Sequence, residues 1–276
     1  MRILFIMICF IFNPGNQLYG DSKLGRDKDP RTLSDISKTS LFMKKTTWSI
    51  LRTPGIRFLS KILYPKSTIS YFNIKDNIVA FTIDDGFCGI DNPDGNMINQ
   101  VRELFSNYDA KATFFINGSH CSNTLHSDVH LLLKDGHEIA NHNMYDWPYN
   151  EYSKEDFEID LKETHRILNQ YTDDIPRWYR PPHAKLSKTM QQVLDANGYT
   201  NIMCDAFAND TAIPDAKWIS ESILDQVKPG SIVLIHMPEK GVREWNFEAM
   251  RLTLEGLKEK GMKIVTVSEL NNIQND

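Results

Sequence analysis

Residues 77–87 read NIVAFTIDDGF, an apolar run that ends in two adjacent carboxylates, Asp84 and Asp85. A run of Val79, Ala80, Phe81 and Ile83 suits a buried strand, whereas an unpaired charge is costly to bury. The pair therefore belongs at the strand's end.

Outward from this stretch, the chain alternates short apolar runs with helical patterns. Strand-type runs are NIVAFTI, KATFFIN, HEIAN, RWYRP, NIMCDA, SIVLIH and MKIVTV, seven in all. Between them lie amphipathic stretches such as NMINQVRELFSNY and FEAMRLTLEGLKEKG, several of which open with Ser or Asp and close with Gly, as helix capping requires. Strands alternating with helices predict an α/β domain with parallel strands covered by helices, in a barrel or an open sheet. In either case functional groups gather at the C-terminal ends of the strands.

The 276 residues, 41% hydrophobic and 24% charged, suffice for one sizeable core. Residues 1–20, with Arg2 before an apolar run from Ile3 to Phe12, have the order of a secretory signal, so a secreted or extracellular protein is expected. No stretch reaches transmembrane length. Residues 21–68 read as a polar linker followed by a basic and apolar segment divided by Pro54, which would pack as short helices under a main domain spanning 69–276. A net charge of −5 makes nucleic acid a poor partner.

The strand ends collect Asp84 and Asp85, His142 with Asp146, Arg180-Pro181-Pro182-His183, Asp205 with Asp210, and His236. Asp and His in such company suit a borderline divalent metal. Taken singly, a D-D pair before Gly86 reads as a solvated turn and a lone histidine as a structural or exposed one. His120, His126, His130, His137 and His165 are read in that way.

Together, the motifs resemble those of the NodB-type polysaccharide deacetylases. FTIDDG is similar to their T-F-D-D-G, NHNMYD to H-S/T-x-x-H, YRPPHA to R-P-P-Y-G, and LIH to L-x-H, in the family's order and over about 200 residues from Ile69 to Leu270. The resemblance implies an irregular (β/α) barrel, often of seven strands. It implies Asp84 as general base, Asp85 and His142 as metal ligands, and Asp146 at the place of the second histidine. Arg180 would pair with the base, and His236, oriented by Asp210 or Asp205, would protonate the leaving amine. Pro182, His183 and Leu234 fall on substrate-contacting motif positions. The activity implied is metal-dependent removal of N-acetyl groups from N-acetylglucosamine units of a glycan such as chitin, with zinc as the metal and cobalt or manganese as substitutes.

The chain departs from the motifs at Asp146, at His183 and at Thr211, where a pocket tryptophan is usual. A glycan-binding relative without turnover, or an enzyme for O-acetyl esters or small amides, are the competing readings. Cys88 and Cys121 lie beyond the first two strands at one rim and are expected to form a disulfide. The sequons at Asn117 and Asn209 fall on the same rim and are expected to carry no glycan.

Overall fold

The computed structural model describes residues 37–51 and 55–275. The expected leader, and nearly all of the polar linker before Lys38, lie outside them. Two helices, α1 (Lys38–Leu51) and α2 (Ile56–Leu63), lie either side of Pro54 and precede the barrel. Then follow β1 (Ile78–Gly86), α3 (Ile98–Ser106), β2 (Ala112–Ile116), α4 (His126–Lys134), β3 (Glu138–Asn141) and α5 (Lys154–Leu168). The second half holds β4 (Trp178–Tyr179), α6 (Lys188–Ala196), β5 (Thr200–Asn201), β6 (Ala206–Phe207), α7 (Ala216–Leu224), β7 (Ile232–His236), α8 (Trp245–Glu259), β8 (Lys263–Val265) and α9 (Val267–Asn275).

All strand pairs are parallel, in the order β5-β4-β3-β2-β1-β7-β6, with β8 against the start of β1. The edge strands β5 and β6 are joined only by residues 202–205. A flat sheet of this width would hold its edges about 29 Å apart. The link can reach only about 17 Å. The sheet must curl, and residues 69–72 seal its seam through Ile69 N to Asn201 O, Met203 N to Ile69 O and Phe72 N to Gly230 O. This is the irregular barrel expected.

The NIMCDA run makes two short strands instead of one, which raises seven strands to eight. Its middle leaves the ladder because the carbonyls of Ile202 and Met203 turn to the buried Arg180 guanidinium.

Alternation along β1 assigns the faces. Val79, Phe81 and Ile83 pack with Val101, Leu104, Phe105, Leu254 and Leu257 in the layer between sheet and helices. Ala80 belongs to the inner cluster with Phe115, Ile232, Leu234 and Val265, which Trp48 of α1 closes by edge contact with Phe207. The period of two carries Ala80 and Thr82 on to Asp84, so that carboxylate faces the barrel interior.

The expected disulfide is absent. Cys88 and Cys121 are separate buried thiols. Cys88 donates to Asn92 O at 3.0 Å, and Cys121 faces Tyr171, with burial pushing its pKa up to about 12. Asn117 is fully buried and donates to His142 O, so it offers no amide for glycosylation.

Candidate active site

The site stands at the C-terminal rim of the barrel. Asp84 of β1 is paired with His236 of β7 in the parallel register, so both project from inner positions of neighbouring strands. Asp85, by strict alternation, would point into the helix layer. The β1–β2 register shifts between Ile83 and Gly86, and Asp85 takes a φ of 57°, which turns its side chain back to the rim.

Asp84 is 4% exposed, and its Oδ1 accepts from Arg180 Nη1 at 2.6 Å. Arg180 also donates to Thr82 Oγ1, Ile202 O and Met203 O, and its guanidinium lies 4.1 Å from the centre of the Phe115 ring. Every nitrogen of this buried cation is thereby engaged, so the Asp84 carboxylate meets a fixed partner.

His142 Nδ1 lies 2.7 Å from the Arg180 carbonyl. A carbonyl only accepts, so the proton is on Nδ1 and Nε2 presents its lone pair. Nε2 lies 3.6 Å from Asp85 Oδ1 and 3.9 Å from Asp84 Oδ2. The ligand atoms of Asp85, His142 and Asp146 lie within 4.8 Å of one another, a spacing that fits one divalent cation. Burial, the largest influence on His142, disfavours its charged form, yet Asp84, Asp85 and Asp146 together raise its pKa above the ordinary value. Such a surplus of negative charge suits a cation.

His236 is held from behind. Its backbone N–H and Nδ1 both meet the Asp210 carboxylate, at 2.8 Å and 3.0 Å. Asn246 Nδ2 donates to Asp210 Oδ2, and Trp245 Nε1 to Asp210 O, so the first turn of α8 fixes the aspartate. Burial is again the largest influence and lowers the imidazole pKa, but Asp210, Asp85 and Asp84 carry it up to about 10.

Pro182 and Leu234 are buried, and Leu234 belongs to the inner cluster. His183 is half-buried with its ring against Asp146. Asp205 is not at this rim: it accepts from Ile232 N at the start of β7 and from Arg57 Nε at 2.6 Å, tying α2 to the sheet, so it cannot orient His236.

Two site residues escaped the sequence reading. His120, set aside as structural, donates from Nδ1 to Asp85 O at 3.1 Å; its place just past β2 at the rim was the available signal. Arg243, in the loop after β7, donates to Asp85 Oδ2 at 2.9 Å, and no periodicity or motif marks it.

The family model for polysaccharide deacetylases matches residues 73–202. A peptidoglycan-N-acetylglucosamine deacetylase of Bacillus cereus is 30% identical over 197 residues, 71% of this chain and 88% of that protein. This chain belongs to the polysaccharide deacetylase family. Solved structures of the same fold include a CE4 family pseudoenzyme from Bacillus anthracis, with a TM-score of 0.64, 22% identity and coverage of 76% of this chain and 70% of that one. A peptidoglycan deacetylase from Bacillus subtilis matches with a TM-score of 0.63, 23% identity and coverage of 72% and 92%.

Proposed function

We propose that this deacetylase-family chain is an active, metal-dependent amide hydrolase that removes acetyl groups from N-acetylglucosamine units of a glycan. Supporting it is one arrangement: the Asp84–Arg180 and His236–Asp210 pairs stand on neighbouring strands beside Asp85, His142 and Asp146. A base, an acid and a cation site within one rim are what amide hydrolysis needs.

Asp85, His142 and Asp146 would hold the metal, zinc by our reading, with cobalt or manganese as substitutes. Bound there, a divalent cation would supply Lewis acidity to the acetamide carbonyl and to water. Asp84, aimed by Arg180, takes a proton from the water as its oxygen bonds to the carbonyl carbon. A backbone N–H near His183 would donate to the developing oxyanion. His236, charged and backed by Asp210, gives its proton to the nitrogen as the C–N bond breaks. Acetate and a free amine are the products.

The similar Bacillus cereus protein is named for peptidoglycan, which favours a peptidoglycan-type glycan over chitin as the substrate. The leader expected at residues 1–20 would export the chain to such a polymer. The test is acetate release from N-acetylglucosamine oligomers and from peptidoglycan, with and without a chelator. Chelator-sensitive release is expected. Glycan binding without release would favour a binding protein that keeps the fold without turnover.

A further inference from the structure

Arg243 is 5% exposed, and of its three guanidinium nitrogens only Nη1 has a hydrogen-bond partner among the described residues. Leaving Nε and Nη2 buried and unpaired is costly, so something must hold this side chain where it is. The loop does so. Glu239 and Val242 exchange backbone hydrogen bonds around Gly241, whose N–H also reaches Glu244 Oε1, and Arg243 itself sits at a φ of 54°. Asn92 Nδ2 clamps the buried Glu239 carboxylate, and Lys240 N donates to Gly95 O. A strained backbone so heavily fixed from several sides points to a demand on its side chain.

That demand is visible at Asp85, whose two oxygens have different neighbours. Oδ1 faces His142 Nε2 at 3.6 Å, and Oδ2 is held by Arg243 at 2.9 Å. Resting on the metal-centre reading above, we infer that Arg243 is a positioning residue: it commits Asp85 to one ligating oxygen and offsets the charge that Asp146 adds to the site. With Asp84, Asp85 and Asp146 on one side, Arg180 and Arg243 are two buried arginines among the described residues that pair with these acids, Arg180 with Asp84 and Arg243 with Asp85. Arg180 serves the base. Arg243 serves the metal ligand.

Removing a fixed positive charge beside a cation site strengthens cation binding. It also returns the full donor strength of Asp85 to the metal, which weakens the pull on the substrate carbonyl. Affinity and turnover then move in opposite directions, which a merely structural arginine would not cause.

The experiment is zinc titration calorimetry on the full chain beside steady-state acetate release, for the native protein, Arg243→Gln and Arg243→Lys. Arg243→Gln is expected to bind zinc on the order of tenfold more tightly and to turn over at least about tenfold more slowly. Arg243→Lys, which keeps the charge, is expected to stay within a few-fold of native in both. Weaker zinc binding and slower turnover together in Arg243→Gln, or no change in either, overturns the inference. If circular dichroism shows Arg243→Gln unfolded, Arg243→Lys decides: native-like affinity and turnover support the inference, and a tenfold change in zinc affinity overturns it. A native chain that binds no zinc overturns the metal-centre reading itself and the inference with it.

Discussion

His183 Nε2 lies 3.1 Å from the Asp146 backbone carbonyl and 3.4 Å from the Asp146 carboxylate. Two of the three motif positions at which this chain departs from the family pattern, Asp146 and His183, thus touch each other. The imidazole of His183 backs the carboxylate of Asp146 in this contact. If Asp146 is a ligand, Asp146→Ala should lose zinc affinity clearly while Asp146→His retains part of it. The contact further implies coupling: Asp146→His and His183→Tyr should combine non-additively in zinc affinity, because the first change removes the carboxylate that faces His183, leaving only the backbone carbonyl as its partner. Calorimetry on the two single variants and the double variant measures this. Strict additivity, with native affinity in Asp146→Ala, would show that Asp146 stands outside the metal's reach.

Asp84→Asn separates base from ligand. Turnover should fall by on the order of a hundredfold or more, because the amide takes up no proton from water. Zinc content should stay near native, since Asp85, His142 and Asp146 remain. The variant also leaves Arg180 buried beside a neutral group, which predicts a stability loss of about 3 kcal/mol. Activity is therefore to be measured below the lowered melting temperature, with bound zinc quantified in the same sample.

Asp205 tests the opposite end of the barrel. It accepts from Arg57, Ser231 and Ile232 N, and Arg57 in turn reaches Pro229 O and Ser231 Oγ. Asp205→Ala would leave the buried Ile232 N–H without its side-chain acceptor and Arg57 without its counter-charge, a loss of about 3 kcal/mol. Denaturant melts should show it. The kcat of the folded fraction should be unchanged, and a large drop there would return Asp205 to the catalytic rim.

What the sequence made legible follows from what is local. A period of two, ending in a carboxylate, carries Asp84 to the inner face without reference to any other strand. Parallel strands covered by helices are likewise implied by seven apolar runs separated by helical ones, while the choice of a barrel over an open sheet comes from the family resemblance. Asp85 is less local, since its direction depends on a bulge that only the neighbouring strand defines. Asp205 and Asp210 lie on the same segment and look equivalent in sequence. They part because one precedes β6 at the base and the other follows it at the rim. The cysteine pairing failed for a related reason: two residues at one rim can still face different loops. Arg243 was invisible because a turn built by Glu239, Gly241 and Val242, and no sequence period, delivers it.

His236 gives the pH dependence. Its pKa of about 10 lies above the ordinary imidazole value, so the group is charged at neutral pH, as an acid for a leaving amine must be. Because the folded value is the higher one, the stability it contributes is fully present below the unfolded value of about 6.5 and is lost as pH rises through about 10. Activity should follow the same sign, with kcat/KM falling on the alkaline side as the imidazolium loses its proton. Asp210 supplies the largest of the raising influences, through charge and through the hydrogen bond at 3.0 Å. Asp210→Asn keeps the shape and removes the charge, so the alkaline limb of the profile should move down by at least about one pH unit. His236→Ala should abolish that limb along with most of the turnover. Profiles of kcat/KM against pH for the three proteins, with zinc held saturating, check both statements. An alkaline limb unmoved in Asp210→Asn would mean that the falling activity belongs to another group and that Asp210 holds His236 in place without tuning it.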